Sequence, residues 1–388
     1  MTGIFDSPSR WVDDEIQMFD DSVSRFLADK VTPARLQRWR DDGIVERSAW
    51  DEVGQAGLLG LSIDPEFGGA GGDLRHEATL IRHLGLAGAE GWGIPLHNAI
   101  CGHYIQHYGT PEQQQRWLPG IVSGQYITAI AMTEPGAGSD LQGIRTTASA
   151  SGNGYAINGQ KTFITNGQSA NLIIVVAKTN PQEGSRGISL LVVETEDAAG
   201  FARGRNLDKV GLEMGDTSEL YFEDVFVPAE NLLGGVEGQG MYQLMKELPK
   251  ERLIIAIECL AIIERALNDT LAYVRERKAF GKRVLDFQNT QFTLAECKTE
   301  AVIARLFVDD CIGKYLAGEL DAATASMAKY WVSERAQAIV DRCQQFFGGY
   351  GYMSEYPIAQ MYKDVRVKRI YGGTTEVMKL LIARTLED

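Results

Sequence analysis

The 388-residue chain predicts an α+β fold, mainly α, in three successive parts: helices, then a compact β-region, then a helical bundle. Three observations carry this expectation. Val12, Ile16, Phe19, Val23 and Phe26 recur at steps of four and three, which is the period of one helix face. Between residues 126 and 226 the texture changes to short apolar and β-branched runs punctuated by Gly, Asn and Asp, with no long helical pattern between them. After Pro228 long stretches rich in Ala and Leu return to the helical period.

In order, helical patterns cover residues 12–27, 48–56, 77–86, 95–108 and 111–123, and the run Phe67-Gly68-Gly69-Ala70-Gly71-Gly72 is a loop. Strands are expected at 126–131, 155–158, 161–165, 172–177, 188–193 and 220–226. Lacking helices between them, they suit an antiparallel sheet or barrel and not the doubly wound sheet of a dinucleotide fold. The later helices fall at 240–278, 288–317, 321–346 and 374–385, with Pro249 expected to kink or interrupt the first. Such helices pack on one another and on other subunits.

Composition narrows the function. With 44% hydrophobic residues the chain can bury a large core, and 38 Lys and Arg against 52 Asp and Glu leave a net charge of −14. That balance disfavours nucleic acid and anionic membranes as partners, while a local basic pocket for a phosphate-bearing ligand stays open. No run of 18 apolar residues marks an integral membrane segment, and residues 1–14 lack the features of a signal peptide, so a cytoplasmic protein is expected. Cys101, Cys259, Cys297, Cys311 and Cys343 are widely spaced without a C-x-x-C pair, which speaks against structural disulfides and zinc.

Generic chemical motifs are nearly silent. Neither phosphate-loop, G-x-G-x-x-G nor G-x-S-x-G patterns occur. His103 and His107 share a helical face, as metal ligands sometimes do. With Tyr104 and Tyr108 beside them and only Glu112 as a nearby carboxylate, ordinary partly buried histidines are the favoured reading, and no metal is expected.

The segment Ala131-Met132-Thr133-Glu134-Pro135-Gly136-Ala137-Gly138-Ser139-Asp140 is far more specific. It resembles the first signature of the acyl-CoA dehydrogenases. Four further blocks agree in order and approximate spacing: Asn158-Gly159-Gln160-Lys161 through Ile164-Thr165-Asn166-Gly167, Arg277-Lys278-Ala279-Phe280-Gly281, Gln345 through Gly349, and Tyr371-Gly372-Gly373-Thr374. The likeness spans essentially the whole chain. It implies the acyl-CoA dehydrogenase fold: an N-terminal helical domain (1–124), a middle β-barrel-like domain (125–236) and a C-terminal four-helix bundle (237–388).

The resemblance also implies FAD as cofactor and a fatty acyl-CoA as substrate, oxidised to the trans-2-enoyl-CoA in fatty acid β-oxidation. A homotetramer and an electron-transfer flavoprotein as electron acceptor belong to the same expectation. A proton leaves Cα and a hydride leaves Cβ for flavin N5, so the protein must supply a base and stabilise enolate-like charge on the thioester oxygen.

Residue by residue, Thr133 and Thr165 match positions that hydrogen-bond the flavin ring, where a hydroxyl serves as donor or acceptor; singly they read as ordinary turn or strand threonines. Met132 flanks the first of them. Gly138 and Ser139 resemble the loop near the pyrophosphate and the pantetheine arm, or else form a plain tight turn. Phe163 stands where the commonest family pattern has Trp, leaving less ring area to shield the flavin. Arg277, Phe280, Gln288, Gln345 and Gly349 match positions that reach the FAD of a neighbouring subunit, with Arg277 suited to the pyrophosphate. The alternative is an Arg on a solvated helix end and a Gly-Gly turn. Thr374 and Glu376 match positions near the cofactor's diphosphate or ribityl part, with a catalytic role for Glu376 as the secondary assignment.

The base is the informative departure. Many relatives place the catalytic glutamate directly before Gly-Thr in the last block, where this chain has Gly372. Glu251, within Leu248-Pro249-Lys250-Glu251-Arg252-Leu253, matches the position from which the isovaleryl-CoA and long-chain branches supply theirs. Its plain alternative is a helical carboxylate paired with Arg252 or a lysine. The Gly372 N–H is where the family polarises the thioester carbonyl, with Gly373 beside the substrate, and Arg252 orients the helix or the base.

From Leu248 to Arg384 the chain looks most like the long-chain branch. Trp92, Ile94, Pro95 and Ala99, on the helix expected to line the tail pocket, are bulkier than a deep channel wants. A flavin oxidase or monooxygenase of the same fold, or a catalytically silent flavin- or acyl-CoA-binding protein, are the rival readings. Retention of Glu251 argues against members that need no base.

Overall fold

The computed structural model describes residues 4–5 and 7–387; residues 1–3, 6 and 388, which belong to the first and last expected domains, lie outside the described residues. Helix α1 (Asp14–Lys30) starts where the Asp13 side chain accepts from the Ile16 N–H, and buries Ile16, Val23 and Leu27, the expected stripe. Helix α2 (Pro33–Asp42) lies outside the predicted elements; Thr32 caps it, Pro33 opens it and Gly43 at φ 67° closes it. Then come α3 (Arg47–Gln55), α4 (Leu74–Ala87), α5 (Ile94–Leu96), a π-helical turn over His97–Gly102, α6 (His103–Tyr108) and α7 (Pro111–Ser123).

The middle region forms one curled sheet from β1 (Thr128–Ala131), β2 (Thr147–Ser151), β3 (Gly154–Thr165), β4 (Leu172–Lys178), β5 (Ile188–Glu194), β6 (Phe201–Asn206) and β7 (Thr217–Pro228). Its order is β1-β4-β2-β3-β7-β6, with β5 also paired to β4. The expected antiparallel pairing holds for β2–β3, β3–β7, β4–β5 and β6–β7. It fails for β1 and β4, which run parallel from Thr128↔Leu172 to Ala131↔Val175, and for β2 and β4, parallel at Thr147↔Lys178. The reason is legible in β4: its first six residues are all buried, as in a strand covered on both faces. Strand β3 joins two expected strands across register shifts, one of which lies between Lys161 and Ile164.

The C-terminal part holds α8 (Gly240–Glu276), a short hairpin of β8 (Lys278–Ala279) and β9 (Lys282–Arg283), then α9 (Gln288–Leu316), α10 (Ala322–Phe346), α11 (Pro357–Val365) and α12 (Thr375–Arg384). Of the kink or interruption expected at Pro249, the interruption does not occur: α8 is one continuous helix through that residue. It packs against α4, α9, α10 and α11, and this enclosure offsets the one lost backbone bond. Residues 250–257 are buried without interruption, so this stretch is enclosed on every face. A charged triplet, Lys250-Glu251-Arg252, therefore sits where apolar residues are the rule.

Candidate active site

Glu251 is 8% exposed, and its Oε1 accepts a 2.8 Å hydrogen bond from the buried Tyr104 hydroxyl of α6. Burial pushes its carboxyl up to about 7; Glu247, one turn earlier, pushes the same way, while Tyr104, Arg252 and Lys250 hold it back. Such a group is half ionised near neutrality, the condition for a general base. Glu247 is kept ionised below its usual range despite burial, since His107 Nδ1 at 2.9 Å and the Tyr108 hydroxyl at 3.0 Å meet its Oε1. Lys250 is lowered to about 8 by burial, against the pull of Glu77, Glu247 and Glu251. Arg252 donates to Ser326 Oγ at 3.3 Å, while its Nε has no hydrogen-bond partner among the described residues.

Gly372 lies across from the next turn of α8. Its φ is 62° and that of Gly373 is 98°, two consecutive residues in the left-handed region. A Cβ on Gly372 would run into Ile255 Cδ1, so the side chain one turn after Glu251 fills the space above this glycine. Glu376 is exposed in the first turn of α12, and its own backbone N–H together with the Thr374 hydroxyl keeps it below the usual carboxylate range. Thr374 caps that helix by accepting from the Val377 N–H.

On the sheet, the loop after β1 is locked to β3. Lys161 Nζ, fully buried, donates to the Met132 carbonyl and to Glu134 Oε1, both at 2.9 Å, and Glu134 also accepts from the Arg145 and Thr146 N–H groups. The Thr133 carbonyl accepts from the Thr162 N–H at 2.9 Å. Thr165 pairs with Thr217 at the end of β3. Between them Phe163 is 67% exposed with φ 59°, held out from the strand at the irregularity between Lys161 and Ile164. Gly138 and Ser139 are exposed; a Cβ on Gly138 would find nothing nearer than Thr133 Cγ2 at 3.9 Å.

A presented aromatic ring flanked by two threonines, next to open glycine backbone, fits a flat heteroaromatic group carrying a polar tail.

The remaining matched residues gather elsewhere. Arg277, Phe280, Gln288, Gln345 and Gly349 are all exposed. The Arg277 guanidinium lies 5.8 Å from the Tyr350 ring centroid, and Phe280, at the tip of the small hairpin, is 96% exposed with φ 51°. Arg277 follows Glu251 by 26 positions along α8 and its C-cap, which is about 39 Å of helix.

The structure corrects one expectation. Trp92 is buried in the N-terminal core, its ring centroid 5.1 Å from Trp39 and 6.1 Å from Trp50, because the residues before α5 face that core and not the bundle. Ala99 is buried in the cluster that includes Ile254 and Ile255. Sequence reasoning missed Tyr104, Glu247 and Lys161 as members of this machinery. The signal for the first was the His103, Tyr104, His107, Tyr108 stripe, weighed only as a metal motif. In the structure these side chains find partners on other elements, His103 Nε2 with Ser62 Oγ at 2.7 Å and His107 with Glu247.

Comparison with known proteins agrees in all three parts of the chain. Residues 13–125 match the acyl-CoA dehydrogenase N-terminal domain, 129–225 the middle domain and 238–387 the C-terminal domain. The long-chain specific acyl-CoA dehydrogenase, mitochondrial, of Rattus norvegicus is 48% identical over 374 residues, covering 96% of this chain and 86% of that protein. The crystal structure of an acyl-CoA dehydrogenase from Geobacillus kaustophilus superposes with a TM-score of 0.95 at 47% identity, covering 98% of this chain and all of that one. A glutaryl-CoA dehydrogenase from Mycobacterium smegmatis in complex with FADH2 gives a TM-score of 0.90 at 27% identity over 97% of this chain and 95% of that one.

Proposed function

The chain belongs to the acyl-CoA dehydrogenase family, and from that premise we propose that it oxidises a medium- to long-chain or branched fatty acyl-CoA to its trans-2-enoyl-CoA, with Glu251 as the base. One observation carries the reading: a carboxyl buried in the middle of α8, raised to about 7 and given a hydrogen-bond donor in Tyr104. An ordinary helical ion pair would hold that carboxyl below its usual range.

FAD is the family's cofactor, and bound to this chain it supplies the acceptor for the Cβ hydride. Met132, Thr133, Phe163 and Thr165 would hold its ring, Gly138 and Ser139 the pyrophosphate region, and Thr374 and Glu376 the ribityl or diphosphate part. The Glu251 carboxylate takes the Cα proton, and its low water exposure keeps that proton from bulk solvent while the thioester is bound. The Gly372 N–H donates to the thioester carbonyl, where charge grows as the proton leaves, with Gly373 and Ala99 beside the substrate. Arg252 offsets the charge of Glu251 and steadies α8 through Ser326.

Arg277, Phe280, Gln288, Gln345 and Gly349 belong to the cofactor site of a neighbouring subunit in this reading. About 39 Å along one helix separates Arg277 from the base, so a single chain does not bring both to one flavin. A homotetramer with domains 1–124, 125–236 and 237–388 follows, passing electrons to an electron-transfer flavoprotein. No described helix is long and apolar enough to cross a membrane. Five buried free cysteines suit a reducing compartment, for which we propose the cytoplasm.

The test is an anaerobic titration of the yellow holoenzyme with straight and branched acyl-CoAs of increasing length. Bleaching by the preferred thioester, followed by reoxidation far faster with electron-transfer flavoprotein than with air, is expected. Rapid aerobic cycling with peroxide, or no bleaching with any thioester, would overturn the proposal.

A further inference from the structure

The turn that carries Gly372 has little of its own to hold it, since two consecutive left-handed glycines place no Cβ against their surroundings to fix the peptide planes. What holds it comes from α10. Lys329, 0% exposed, donates from Nζ to the Gly373 carbonyl at 2.6 Å. Three residues before it Ser326 receives Arg252, and five residues after it Glu334 accepts from the Thr375 hydroxyl at 3.0 Å and pairs with Arg369 at 2.8 Å. One helix therefore grips the turn, both of its flanks and the residue after the proposed base.

Burying an ammonium is costly, and an apolar side chain of similar size would fill the space at lower cost. A charge kept there has its use at the carbonyl it meets, because a charge-assisted hydrogen bond fixes a peptide plane more firmly than a neutral one. We propose that Lys329 is a positioning residue for the carbonyl-polarising turn, its ammonium pinning the Gly373 carbonyl and so aiming the Gly372 N–H at the thioester oxygen. This rests on the role given to Gly372 above.

The charged and titratable groups around Lys329 are Cys259 and Arg252 from α8, Glu334 from α10 itself and Glu376 from α12. Burial, with Arg252 adding to it, lowers the ammonium to about 8, while Cys259, Glu334 and Glu376 oppose. The grip therefore weakens as pH rises through that value.

The experiment compares two ligands on the flavin-loaded enzyme: an enoyl-CoA, which has the thioester carbonyl, and a thioether analogue, which lacks it. Lys329→Met is expected to weaken the enoyl-CoA about tenfold, the size of one hydrogen bond, while the thioether moves less than twofold and kcat falls together with kcat/KM. Lys329→Arg is expected to restore most of the preference. Equal losses for both ligands, or an unchanged ratio, would overturn the proposal. If Lys329→Met does not fold, the wild-type enzyme answers alone: between pH 7 and pH 10 its thioester advantage must fade while thioether binding holds, and a flat ratio is a refutation. Glu251→Gln keeps the thioester preference, so retained turnover in that variant would remove the base assignment without touching this result.

Discussion

Glu251→Gln makes the protein more stable and inactive at once, and the structure sets the size of the first effect. Unfolded, the carboxyl titrates near 4.5; folded, burial moves it to about 7. Between those values the folded state binds more protons than the unfolded one, so raising the pH costs stability throughout that window. The full move corresponds to about 3 kcal/mol above pH 7. Glutamine keeps the shape and an acceptor for the Tyr104 hydroxyl but has nothing to ionise. The variant and wild type should therefore melt alike at pH 4.5 and diverge as pH rises, the variant ahead by about 4 °C at pH 8 for a chain of this length. Thermal unfolding of the two holoproteins across that range gives the comparison, and anaerobic flavin reduction by acyl-CoA gives activity, which should fall at least about 10³-fold. Parallel melting curves, or a variant less stable at pH 8, would refute the buried-base argument; retained reduction would refute the assignment itself.

Tyr104→Phe removes the hydroxyl that stabilises the ionised base, so the acid limb of kcat/KM should move to higher pH by about one unit; an unmoved limb would show that the bond is not made in the working enzyme. Moving the base by Glu251→Gln with Gly372→Glu should fail while Ile255 fills the space above residue 372, and adding Ile255→Gly should recover measurable flavin reduction; recovery without the third change would contradict the packing described. Arg277→Gln, at an exposed position, should leave the chain's own unfolding within about 0.5 kcal/mol yet raise the dissociation constant for FAD by about tenfold or more. Flavin retention on dilution reads this out, and unchanged retention would argue against completion of the site by a second chain.

How much of this was legible beforehand depended on whether the information was local. Helix α1 and the long C-terminal helices carry their period in sequence, and so they were found. Helix α2 buries only Leu36 and Trp39, too short a stripe for periodicity, although its cap, proline and closing glycine were there to be read. Strand β2 buries one residue of five and β6 none of its six, so neither shows the alternation that marks a half-buried strand. Glu251 was singled out by a matched block and a vacated position, not by its environment, because its bond to Tyr104 joins residues 147 apart. Trp92 misled for the opposite reason: an aromatic residue at the entrance to a helix does not say which of two cores it faces.

The π-helical turn at His97–Gly102 ties these observations together. An α-helix advances about 100° per residue, so one residue taken up in a widened turn rotates everything after it by that amount relative to everything before. Ala99 lies within the turn in the buried cluster that includes Ile254 and Ile255 of α8, while Tyr104, His107 and Tyr108 follow it and meet Glu251 and Glu247. Both sets face α8, which continues unbroken through its proline and is buried from residue 250 to residue 257. The proposed base is thus carried on the longest helix among the described residues, and the groups that tune its proton affinity follow a phase change in a neighbouring helix. On the proposed assignment, that division of labour is how a glutamate on a central helix would do the work when residue 372 has no side chain: the turn at Gly372 and Gly373 would contribute only backbone, and the space above Gly372 is filled by Ile255, from the same helix that carries Glu251.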